Sequence, residues 1–149
     1  MRGARLGSVN LRNIPGGIVL SIALGTVDSA IVWGIATLFD VSIMVPDRQD
    51  PETLSSLALW NIVALVSAAA VGAGIFLWLL ERFVADRALM IFQITAVVIL
   101  VLSLALPFAT DQSLAAQLTL VAMHILVGMV IIGTMTWVTT KPTVAAERD

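Results

Sequence analysis

The sequence has no cysteine, no tyrosine and a single histidine, and only 12% of its 149 residues are charged. Without cysteine there is no disulfide, no thiolate metal site and no thiol chemistry. One histidine excludes a bis-histidine haem or a multi-histidine metal centre within one chain. No metal site and no cofactor is therefore expected. Lys and Arg number 8 and are scattered, so no basic cluster offers a track for nucleic acid. Soluble domains carry about twice this share of charge. The scarcity is concentrated in long runs, and those runs decide the class.

Hydrophobic residues make up 59% of the chain. They fall into four stretches, about 14–39, 57–80, 88–107 and 114–138. Each is close to the ~20 residues that cross a bilayer as a helix. The expected fold is all-α: a membrane-spanning four-helix bundle of up-down topology, one domain over 1–149. Arg2, Arg5 and Arg12 ahead of the first stretch imitate a secretory signal. That stretch outruns the roughly 7–15 residues of a signal core, and no A-x-A cleavage site follows it, so it reads as a retained span.

Orientation comes from counting cations. Arg2, Arg5, Arg12, Arg82, Arg87, Lys141 and Arg148 fall on one side of the four spans and Arg48 on the other. By the positive-inside rule both termini and the 81–87 turn are cytoplasmic, in a multi-pass protein of the cell membrane. Trp60 then lies at the outer interface and Trp78 and Trp137 at the inner one, as an aromatic belt requires.

Local signals divide the chain further. Asn13 and Pro15 suit the start of the first helix. Asp50-Pro51 suits the start of the second, which would begin in water and enter the membrane near Leu57. Thr110 or Asp111 suits a cap for the fourth. Ser21, Gly25 and Ser29 recur every four residues, the small-residue stripe that lets a second helix approach. On span 2, Asn61, Ala64, Ala68, Gly72 and Ile75 share one face, and Ala70, Gly74 and Trp78 another.

Asp28 is the one acid inside an apolar stretch. An ionisable group at mid-bilayer marks a functional or partner-bound position. It lies in line with Ser21, Gly25 and Val32, which places it on the packed side of its helix. His124 sits at similar depth in span 4, and first and last spans of a four-helix bundle are commonly neighbours. An Asp28–His124 contact is therefore expected, either as interhelical glue or as an acid–base or proton-relay pair, since imidazole changes charge near neutral pH. Asn61, Gln93, Trp33 and Gln117 are the polar and aromatic candidates for lining a binding site near that pair. Single amides at such depth also serve as bridges between helices.

Glu81-Arg82, the run Leu102-Ser-Leu-Ala-Leu-Pro107 and the run Met123-His124-Ile-Leu-Val-Gly128 together resemble a group of small, mostly actinobacterial four-span membrane proteins of unknown function. The resemblance covers residues 15–140. It implies a four-helix membrane bundle in a bacterial cell membrane and carries no catalytic or binding assignment.

Three functions fit these features. The first is an accessory, assembly or interaction protein whose partners are the lipid bilayer and a second copy or another membrane protein. The second is a small proton-coupled transporter using Asp28. The third is a membrane-embedded isomerase or cyclase of a lipophilic substrate, with Asp28 and His124 as the acid–base pair.

Overall fold

The structure is a computed structural model, and it describes residues 9–46, 54–109 and 111–140. The chain is mostly helical. The first helix, α1, runs Ile14–Leu38 behind a short 3-10 turn, Leu11–Asn13. Pro15 sits in its first turn, where a missing N–H leaves no bond unmade. Asn13 occupies the cap position without capping. Its side-chain amide instead donates to the carbonyl of Val138, 3.0 Å away, and the Asn10 N–H donates to Thr139. The start of α1 is thereby tied to the far end of the chain's last helix.

At its other end α1 closes with two backbone bonds, Asp40 N–H to Thr37 and Val41 N–H to Ala36. This is the Schellman arrangement, with Asp40 at the left-handed position (φ 57°) that glycine usually takes. Asp is one of the few other residues that tolerates it. Val41 folds back over Ala36 and both join the apolar core there.

Asp50 and Pro51, the start expected for the second helix, lie outside the described residues; from Leu54 the chain is extended. Strand β1, Met44–Pro46, pairs antiparallel with β2, Leu54–Ser56, in the register Met44↔Ser56 and Val45↔Ser55. Leu57 N–H continues the pairing to Ile43. Gln112 adds a side-chain rung: its amide donates to Met44 C=O and its carbonyl accepts from Met44 N–H, both at 2.9 Å. Helix α2, Leu59–Val84, starts only after the hairpin, where Asn61 Oδ1 accepts from Ala58 N–H. The ladder bonds hold 54–57 extended, so the helix begins only at Leu59. The apolar part of α2, 59–80, spans ~33 Å, close to a bilayer core without added tilt.

A 3-10 turn, Ala85–Arg87, reverses the chain into α3, Ala88–Ser103. Pro107 explains where α3 stops. It has no N–H to give the Ser103 carbonyl, and its ring crowds that carbonyl. A second 3-10 turn, Leu106–Ala109, follows. Helix α4, Leu114–Thr139, is capped by Ser113, whose hydroxyl accepts from Ala116 N–H. This replaces the cap expected at Asp111; Thr110 lies outside the described residues.

Helix α1 packs between α2 and α4, and α3 closes the arrangement against the same two helices. Neighbours run antiparallel. A Cβ on Gly17 would meet Met135, one on Gly25 would meet Val66 and Val127, one on Gly74 would meet Ile18, and one on Gly128 would meet Leu100. Gly17, Ser21, Gly25 and Ser29 are all buried, as the small-residue stripe predicts. On α2 the buried line is Ile62, Val66, Ala70, Gly74 and Leu77. The other expected line is not: beyond Asn61, Ala68, Gly72 and Ile75 are exposed.

Three continuous helical stretches are long and apolar enough to cross a membrane: Leu11–Leu38, Leu59–Ala109 and Leu114–Thr139. The middle one contains the reversal at Ala85–Arg87. Trp60 is exposed at one end of α2, and Trp78 and Trp137 are exposed toward the opposite end of the molecule.

Candidate functional site

The helices leave a cavity of about 550 Å³ among α2, α3 and α4, with Ser29 contributed by α1. Phe76 and Phe92, rings 6.3 Å apart, bound it toward the 85–87 turn. Val45 and Leu57 from the hairpin segment bound it at the other end. Leu65, Ala68, Ala69 and Gly72 of α2 and Ile99 of α3 line it and are also exposed, so it opens sideways between α2 and α3. Its wall is apolar except for Ser29, Ser103 and His124.

His124 is oriented by its own helix. Its Nδ1 lies 2.8 Å from the Leu120 carbonyl. A carbonyl only accepts, so Nδ1 carries the proton, and Nε2 of the neutral ring is left as an acceptor. Ser103 donates to Leu100 C=O and is thereby occupied. Ser29 is 1% exposed, and its hydroxyl makes no hydrogen bond to the described residues. Ser21, two turns earlier on the same stripe, does bond, to Gly17 C=O and to Thr134 of α4.

Asp28 is placed elsewhere. The contacts of Gly17 with Met135 and Gly25 with Val127 set the register of α1 against α4. Continued by one turn, that register carries Asp28 to the level of His124, so the expected match in depth is present. The two side chains share no hydrogen bond or ion pair, however, and Asp28 does not line the cavity. Asp28 is half-buried. The residues at i−4, i+3 and i+7 from it, Leu24, Ile31 and Ile35, are 43%, 55% and 52% exposed. The acid therefore stands at the border of the buried stripe and the apolar outer surface. A wheel read through Ser21 and Gly25 alone puts it too far inside, because one residue of rotation separates Asp28 from Ser29.

Three of the remaining candidates make bonds within the chain. Trp33 Nε1 donates to Leu57 C=O at 3.1 Å and pins the hairpin's exit to α1. Gln93 donates to Thr136 Oγ1 at 3.2 Å, joining α3 to α4. Asn61 caps α2, and Gln117 is half-buried in the first turn of α4. None of these four lines the cavity. Of the residues singled out from the sequence as catalytic or binding, only His124 does. Ser29 was visible only as a small residue for packing.

Three described arginines, Arg12, Arg82 and Arg87, lie at the end that holds the 85–87 turn, with Glu81 and Asp86 among them. Glu81 follows the apolar run 59–80, in the last turn of α2. One of its carboxylate oxygens is buried and has no hydrogen-bond partner. Burial, and then the charge of Asp86, push the Glu81 carboxyl above the usual carboxylate range. No group of histidine, aspartate and glutamate among the described residues is arranged to hold a metal ion.

Long apolar helices, exposed tryptophans toward both ends and a cavity open to the apolar surface are the features of a helical membrane protein. Within that class the chain belongs to a family of unknown function, DUF6069, whose model matches residues 9–141. The match takes in all four helices and the hairpin segment, and so every residue that lines the cavity. No curated protein and no solved structure matches the chain.

Proposed function

We propose that this is a four-span integral membrane protein, both ends cytoplasmic, that works as an accessory or interaction protein for another membrane chain. The observation that carries this reading is Asp28. It sits at mid-depth on an outward-facing flank, ringed by Leu24, Ile31 and Ile35, and has no hydrogen-bond or ionic partner among the described residues. A carboxyl in that position is costly in hydrocarbon and is relieved when a polar group of another helix meets it. Two other deep pairs of polar groups join this chain's own helices, Ser21 to Thr134 and Gln93 to Thr136. The cation-rich end at the 85–87 turn, together with the exposed tryptophans, supports the orientation.

The chain's lack of cysteine makes the test direct. Single cysteines at Leu24 or Ile31 are expected to give crosslinked species of higher mass in native membranes. Asp28→Leu is expected to abolish them and to lower the protein's abundance, while Asp28→Asn retains both because an amide still bonds. A monomer with unchanged abundance in all three backgrounds sinks the interaction reading. Cysteines at Asp40 and Asp86, probed with an impermeant reagent in intact cells, test the orientation: only the first is expected to react.

A further inference from the structure

The cavity wall has a single open polar spot, and it is made by two helices. His124 of α4 presents Nε2, an acceptor in the tautomer set by the Leu120 carbonyl. Ser29 of α1 presents a hydroxyl that no described group engages, on a side chain that is 1% exposed. Both line the same cavity. The register that pairs Gly17 with Met135 and Gly25 with Val127 brings Ser29 and His124 to one level. Nine residues separate Ser29 from the end of α1 at Leu38, so the spot lies ~14 Å inside the helix end, near the middle of a bilayer core.

We propose that this cavity binds a lipophilic alcohol, an apolar chain or ring system bearing one hydroxyl, which enters from the bilayer between α2 and α3. The hydroxyl is the neutral group that answers both partners: it donates to His124 Nε2 and accepts from Ser29. A ketone satisfies Ser29 and leaves Nε2 without a donor. An ionised acid or phosphate finds no cation on the wall, and a phospholipid keeps its head at the interface, well above this level. The volume, about 550 Å³, lies in the ~300–1,000 Å³ range of small-molecule sites, and so does the chemistry of an apolar wall with a few placed polar groups. The site rests on the membrane placement proposed above but does not depend on Asp28 or on any partner chain.

The test uses the full chain in phosphatidylethanolamine/phosphatidylglycerol nanodiscs, with two photoreactive probes: hexadecanol carrying a mid-chain diazirine, and the matching hexadecane. Labelled residues are mapped by mass spectrometry. The alcohol is expected to label cavity residues about three- to tenfold more than the alkane, the range of one to two neutral hydrogen bonds. His124→Phe or Ser29→Ala should bring the alcohol down to the level of the alkane. Gly72→Phe should exclude both probes, since no heavy atom lies within 4 Å of a Cβ at that position and the ring has room at the cavity mouth. Ala69→Phe is a second plug. Tryptophan-monitored melting verifies that each variant is folded. Equal labelling by the two probes, or alcohol labelling that survives either His124→Phe or Ser29→Ala in folded protein, overturns the proposal. Either result leaves the crosslinking test of Asp28 untouched, so the two readings fail separately.

Discussion

Gly74 of α2 lies directly against Ile18 of α1, and replacing it by alanine tests the packing. A Cβ there would lie 2.5 Å from Cδ1 and 2.7 Å from Cγ1 of Ile18, and 3.4 Å from Cγ2 of Ile14. Carbon atoms prefer ~3.5–4.0 Å, so Ile18 must give way by about 1 Å. Its Cδ1 can rotate away. Its Cγ1 cannot move without leaving the one χ1 rotamer a β-branched residue favours in a helix. The remaining response is to push the helices apart. Overpacking of this kind costs about 1–3 kcal/mol. Alanine recovers about 0.8–1 kcal/mol over glycine from helix propensity. Gly74→Ala should therefore destabilise by up to about 2 kcal/mol. In an Ile18→Ala background the clash is gone and only the propensity gain remains, so the same change should stabilise by up to about 1 kcal/mol. The coupling between the two sites is then about 1–3 kcal/mol, well above the scatter expected of independent sites. Gly72, two residues away with open space around it, is the control, and Gly72→Ala should be neutral or stabilising. The assay is reversible unfolding in mixed micelles with rising mole fraction of sodium dodecyl sulfate, followed by tryptophan fluorescence. Equal shifts for Gly74→Ala in both backgrounds would falsify the close α1–α2 approach.

Two further outcomes follow from the ends of the helices. Gln112→Ala removes both side-chain bonds to Met44; it should cost about 1–3 kcal/mol, and hydrogen exchange at the Met44 amide should accelerate while the α3 amides stay protected. Glu81→Gln should stabilise the protein at neutral pH and lose that advantage in acid. The carboxyl of Glu81 is raised in the folded state by burial and by Asp86, so the wild type is penalised as pH rises from the ordinary glutamate range of about 4.3 through the raised value, and not below that range. A gain in melting temperature that is the same at pH 4 and pH 8 contradicts this account.

Much of this protein was legible in its residues. The length and charge poverty of the apolar stretches announce long helices, because a backbone in hydrocarbon must satisfy its own hydrogen bonds. The four-residue recurrence of Ser21, Gly25 and Ser29 marks the α1 seam, because only small side chains let α2 and α4 approach. Pro107 ends α3 through local stereochemistry. Those features depend on neighbours in sequence, and the sequence determines them by itself. The tertiary structure decided what depends on partners distant in the chain. The pairing of 44–46 with 54–56, reinforced by Gln112 from 68 residues away, satisfies the backbone of 54–57 as a strand and sets the start of α2 at Leu59. Asp28 and His124 agree in depth, which spacing along each helix sets. They differ in direction, which the rotation of α1 against α4 sets, and no periodicity within one helix contains that angle. The same rotation turned Ser29, a packing residue by pattern, into the polar wall of a cavity and left Asp28 half-buried at the border of the outer surface.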